Sequence, residues 1–168
     1  MADRSSLLRD LDAARDAFLE SLAEVDLELA TVAGVMEDWS VRDLVYHLAA
    51  WCEHGSEAID LAAQGRAEAF SYSSGDTDAM NERFLAAGRT VPPADALARE
   101  EAAFEGFRAR IAGLDEALLD LALGNGDTVA EVIVYDGPEH YDEHTAHLRA
   151  WFGTDADEDD PTEVDQTS

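Results

Sequence analysis

The chain is 168 residues long and carries 38 Asp and Glu against 11 cationic residues, a formal charge of −27. Every cation is an Arg; there is no Lys. That balance argues against a nucleic-acid partner, whose phosphates need clustered cations to displace counterions, and against an anionic membrane surface, whereas 46% hydrophobic residues suffice for one domain with a real core.

The N-terminal stretch MADRSSLLRDLDAARD is charged from its third residue and has no continuous apolar run, so no signal peptide is expected. No segment approaches the roughly 20 apolar residues of a membrane span. Cys52 is the single cysteine, which leaves no internal disulfide and makes the cytoplasm the expected compartment. Residues 154–168 hold seven acids and no cation, and they read as a disordered acidic tail behind a folded domain of residues 1–153. The −20 left on that domain fits a halophile, because concentrated salt screens self-repulsion. A GC-rich genome that favours Arg over Lys accounts for part of the same bias.

Leu7, Leu11, Ala14, Phe18, Leu22 and Val25 recur at spacings of three and four, which predicts a first helix over about residues 3–30. Ser40 followed by Asp43 resembles a capping box, with Trp39 and Leu44 placed as a hydrophobic staple. The stripe Val41, Leu44, Val45, Leu48, Trp51, Cys52 continues from it, and Gly65 gives the stop, so the second helix spans about 41–64. Residues 66–75, RAEAFSYSSG, read as a polar loop. A short extra helix is expected at about 76–87, with Met80, Phe84 and Leu85 inward. Val91-Pro92-Pro93 opens a third long helix at about 94–112, carrying Leu97, Phe104, Phe107 and Ile111 on its buried face.

The segment VAEVIVYD (129–136) taken alone also suits a strand. A capping box from Thr128 to Glu131 favours helix, as does the helical phase of Val129, Ile133, Asp136, His140, His144, Leu148 and Trp151. The prediction is one helix over about 128–152, kinked at Pro138 by loss of the bond to the Val134 carbonyl. The fold class is therefore all-α: a four-helix bundle with a short helix between its second and third members.

The five His residues fall on two of these helices: His47 and His54 on the second, His140, His144 and His147 on the last. His140 and His144 project from one face, one turn apart, and His47 lies one turn before Trp51 on the inward side of its helix. If the two helices pack together, three imidazoles meet inside the bundle. Neutral imidazoles suit Zn, Ni, Cu or Fe, and three ligands leave an open coordination position. The competing reading makes them hydrogen-bonding groups of a pocket or of the core. Asp136, one turn before His140, is a candidate fourth ligand or an acceptor for an imidazole N–H. His54 and His147 are expected near the bundle mouth or on its surface. Cys52 reads as a small apolar core residue rather than a nucleophile. Asn81-Glu82-Arg83 either line a pocket or solvate the short helix.

The run Trp39-Ser40-Val41-Arg42-Asp43-Leu44-Val45-Tyr46-His47-Leu48-Ala49-Ala50-Trp51 resembles the first signature of the DinB-like superfamily, a Trp, a cap and a His on the second helix. His140-Tyr141-Asp142-Glu143-His144, followed by Leu148-Arg149-Ala150-Trp151, resembles the second. The HYxEH form and the segment DTDAMNERF are most similar to the DfsB/ClbS branch. The resemblance covers about residues 5–152. It implies a DinB-like four-helix bundle, often a homodimer, with the metal triad on His47, His140 and His144. It further implies Zn or Ni, a low-molecular-weight thiol such as mycothiol or bacillithiol in the transferases and isomerases, and hydrolysis of a reactive small molecule in self-resistance members.

Two functions follow as expectations. One is a metal-dependent hydrolase or thiol-dependent transferase acting on a small electrophilic molecule, its pocket shaped by Tyr46, Trp51, Asp136 and Tyr141. The other is a non-catalytic small-molecule-binding or self-resistance protein without metal.

Overall fold

Local sequence starts each helix. In the computed structural model, which describes residues 3–153, α1 (Arg4–Ala23) begins where Asp3 accepts the Ser6 amide. The tail predicted at 154–168 lies outside the described residues. Helix α2 (Val41–Ala63) opens on the anticipated capping box, in which Ser40 Oγ accepts the Asp43 amide and the Asp43 carboxylate accepts the Ser40 amide. Trp39 and Leu44 are both buried beside it. Helices α3 (Thr77–Gly88) and α4 (Pro93–Gly113) follow, with Pro93 as the first residue of α4.

The first helix is shorter than its apolar pattern suggested. Asp26 accepts the Glu28 amide and diverts the chain into a single 3-10 turn at Leu27–Leu29, an alternative that Asp side chains offer the backbone. The larger correction is at the C-terminal end. Two helices stand where one kinked helix was expected, α5 (Val129–Asp136) and α6 (Pro138–Phe152). The break falls on Gly137, and Pro138 starts α6 as its first residue, where a missing N–H costs nothing. A Cβ on Gly137 would lie 2.6 Å from the Ile133 carbonyl oxygen and 3.1 Å from both Leu11 and Phe107 side chains. The tight junction thus needs glycine. VAEVIVYD is helical, and among the described residues no strand forms, only isolated bridges between Met36 and Trp39 and between Ala122 and Thr128.

Helices α1, α2, α4 and the α5–α6 pair make a four-helix bundle, with α3 laid against α2. The most extensive contacts are α2 with α4 and α1 with α6. Phe18, Leu11, Leu44, Leu48, Phe107, Ile111, Ile133 and Leu148 fill the core. Close packing of α2 on α4 depends on Gly55, where an added Cβ would meet the Phe107 ring at 2.8 Å. One charged network lies inside. Arg15 forms a two-pronged ion pair with Glu100, both bonds 2.9 Å, and the Tyr141 hydroxyl donates to the same carboxylate. Charge-assisted bonds of this kind offset the cost of burying Glu100. Among the described residues no helix is long and apolar enough to cross a membrane.

Candidate metal centre

Helix α2 presents His47 and helix α6 presents His140 and His144 to one another, and one nitrogen from each lies within 4.8 Å of the others. His47 Nε2 and His140 Nε2 are 2.7 Å apart. The rings of His47 and His144 stand edge to face at 5.0 Å, and Trp39 packs edge-on against His47 at 4.9 Å. Apolar and aromatic surroundings make the charged forms costly. Burial, aided by His140, pushes His47 well below its ordinary pKa; burial alone takes His140 down to about 4; burial and the neighbouring imidazoles depress His144. All three are neutral near pH 7, the form in which imidazole offers a lone pair to a metal.

The donor set fits a divalent transition metal. His47 Nδ1 and His144 Nε2 are buried nitrogens with no hydrogen-bond partner in the chain, which is costly for polar atoms. His144 Nδ1 and His147 Nδ1 share a hydrogen bond of 3.1 Å, and the tautomer in which His144 is its donor leaves the Nε2 lone pair free. His147, expected at the mouth or the surface, is therefore the group that orients His144. The signal for it in the sequence was its spacing of three from His144, which places both on one side of a helix.

Two of the four residues expected to shape the pocket do so. A cleft of about 490 Å³ opens beside the triad, with His140, Trp51 and Asp136 in its wall. The Trp51 indole N–H donates to Asn81 at 3.0 Å, so α3 holds this ring in place. The other two do not line the cleft. Tyr46 lies on the far side of α2, under the Arg99 guanidinium at 4.1 Å and against Gly88. Tyr141 is fully buried between Phe18 and Phe104, its hydroxyl turned to Glu100 and Cys52. It lies about 100° around α6 from His140, and that angle turns it to the α1–α4 side of the bundle. Cys52 is buried and its thiol is pushed up to about 12 by burial, in keeping with a core residue.

Asp136 does not reach the triad as a ligand. Its Oδ2 accepts from His54 Nδ1–H at 2.7 Å, and its Oδ1 has no partner. Burial raises the carboxyl to about 6, against the lowering effect of His54. His54 is thus no surface residue; its ring sits between Trp51 (5.0 Å) and Tyr72 (4.7 Å). Tyr72 and Tyr135, both in the cleft wall, were not anticipated from the sequence. Tyr72 belongs to the segment read as a polar loop, whose Phe70 is in fact buried.

Among known structures, the chain is similar to an uncharacterised protein from Escherichia coli UTI89. The TM-score is 0.77 at 18% identity, over 91% of this chain and 94% of that one. It is also similar to the colibactin self-resistance protein ClbS, solved in complex with a dsDNA, at TM-score 0.77 and 17% identity, over 89% of this chain and 95% of that one. At such identities the likeness concerns the fold. No curated protein matches in sequence. The sequence profile of the mycothiol maleylpyruvate isomerase N-terminal domain matches residues 8–150, nearly the whole bundle and all five His residues, and the chain belongs to that family of DinB-like helical proteins.

Proposed function

We propose that this protein is a metal-dependent enzyme, a hydrolase or thiol-dependent transferase, acting on a small electrophilic molecule in the cleft beside His140. The observation that carries the proposal is the convergence of three neutral imidazoles, with two orphaned buried nitrogens among them, next to a cleft of about 490 Å³. Zn or Ni held by His47, His140 and His144 would supply the Lewis acidity that makes water or a thiol nucleophilic at neutral pH. The family's link to mycothiol supports a low-molecular-weight thiol as co-substrate.

The chain's own groups complete the chemistry. Trp51 and Tyr72 wall the cleft and restrict water. Asp136 Oδ1, free of hydrogen bonds, is the group placed to take a proton from the nucleophile, while His54 holds the carboxylate through Oδ2. A carboxyl that titrates near 6 suits that role at neutral pH.

The test is elemental analysis of protein purified without an affinity tag, with melting curves before and after chelation. One equivalent of a transition metal and a lower Tm on chelation are expected. In His144→Ala, metal and the added stability disappear together. No stoichiometric metal, with a Tm that chelation does not move, overturns the metal centre. The likeness to ClbS favours a second reading, a self-resistance protein that sequesters its small molecule. In that case His144→Ala weakens ligand binding with little change in Tm. The dsDNA in the ClbS structure belongs to that protein; here the −27 charge favours a small-molecule partner.

A further inference from the structure

The cleft beside the triad has an unusual wall. Trp51, Tyr72 and Tyr135 contribute aromatic rings, with Tyr72 edge-to-face with Trp51 at 5.6 Å and 6.5 Å from Tyr135 between centroids. Four carboxylates, Asp127, Asp136, Glu139 and Glu143, share that wall, and no Arg does. In a chain this acidic, carboxylates are common everywhere, so what distinguishes these four is that no Arg neutralises them and only Asp136 has a basic partner, His54 at 2.7 Å.

Elsewhere six of the eleven Arg are matched to acids. Arg15 meets Glu100, Arg42 meets Asp43, Arg89 meets Asp38, and Arg99, Arg108 and Arg110 meet Glu53, Asp12 and Asp60. Among the described residues no Arg pairs with a cleft carboxylate. Asp127 accepts only from the neutral Asn125 amide (2.7 Å) and Tyr135 hydroxyl (3.1 Å). Glu139 and Glu143 form no ion pair there. A second observation points to a ligand: Asp136, a lining residue only 1% exposed, has one carboxylate oxygen held by His54 and the other, Oδ1, buried without a hydrogen-bond partner. Carboxylates of one sign in a low-dielectric cleft focus a negative potential into it, and aromatic faces add attraction for a cation.

We infer that the substrate bound in this cleft is a small cation, an ammonium-bearing molecule whose charged head sits against Trp51, Tyr72 and Tyr135 within reach of the four carboxylates. The inference rests on the proposal that the cleft is the substrate site. An anionic substrate such as a dicarboxylate meets four carboxylates and no Arg in the cleft wall.

Choline, its neutral isostere 3,3-dimethylbutan-1-ol and maleate serve as probes. Each is titrated calorimetrically into the full chain at fixed ionic strength, with metal content measured on the same samples. Choline binding at one site about tenfold tighter than the isostere is expected, the scale of one desolvated cation–aromatic contact. The exposed pair Glu139→Gln/Glu143→Gln should weaken choline several-fold, leaving the isostere and the metal content unchanged. Choline no tighter than the isostere, maleate binding more tightly than choline, or choline unaffected by the double substitution would each overturn the inference. Metal content separates the two ideas. Metal present with choline unselected leaves the metal centre standing; selective choline binding without metal does the reverse.

Discussion

The imidazoles of the candidate centre tie the protein's stability to pH at the level of single residues. Each of His47, His140 and His144 has its folded pKa held below the ordinary value near 6.5. Below that value the unfolded chain binds protons that the native state refuses, so stability is present above about pH 6.5 and is lost as pH falls. For each imidazole the loss is about 1.4 kcal/mol per pH unit, down to the folded pKa. Asp136 acts in the opposite sense: with its carboxyl raised to about 6, the native state takes that proton first and recovers part of the loss. Urea unfolding of the chelated protein should show a midpoint that drops steeply between pH 6.5 and pH 4.5. A midpoint that holds steady over that range would mean the three rings are not buried neutral. The roles of His54 and His147 belong to this scale too. Both were legible as His on the right helices, but their partners, Asp136 and His144, depend on side-chain contacts that spacing does not specify.

At the scale of the element, the junction between α5 and α6 positions half of the site. Asp136 closes α5 and His140 lies in the first turn of α6, so the bend at Gly137 sets the angle between proton acceptor and triad. Gly137→Ala forces a Cβ against the Ile133 carbonyl, Leu11 and Phe107. A cost of about 1–3 kcal/mol is expected, read as a lower urea midpoint with an unchanged slope. Wild-type stability in this variant would show that the junction tolerates a side chain. The sequence located the interruption correctly within one residue but assigned it to Pro138. Proline's effect on a helix is a local rule, whereas the need for glycine arises from α1 and α4 pressing on the bend. Helix α6 likewise carries two inward faces, His140 and His144 toward α2 and Tyr141, Thr145 and Leu148 toward the core. An amphipathic pattern identifies buried residues without saying which neighbour buries each one.

For the whole molecule, the net charge bears on stability in salt. The −20 carried by residues 1–153 is what remains after every Arg is counted, including those paired on the surface such as Arg108 with Asp12 and Arg110 with Asp60. Screening of the remaining repulsion should raise the Tm of the full chain between 0.1 and 2 M KCl, by more than in an ordinary bundle. A Tm that falls over the same range would remove the high-salt explanation of the composition. Fluorescence anisotropy with duplex DNA should show no binding at 0.15 M salt, because a chain of net charge −27 repels phosphates and has only 11 cations with which to displace counterions.

The sequence by itself determined the helices, their capped starts, and the confinement of all five His residues to two of them. Those features follow from local rules, the 3.6-residue period and the geometry of a helix N-terminus. Only the tertiary structure decided which imidazoles meet, that Asp136 answers to His54 rather than to a metal, and that Tyr46 and Tyr141 face away from the cleft. It also decided that Tyr72 and Tyr135 join Trp51 there. Such pairings, His47 with His140 across 93 residues and His54 with Asp136 across 82, depend on how far each helix is rotated about its axis. Packing of large and small side chains sets that rotation, and no pattern along a single helix encodes it.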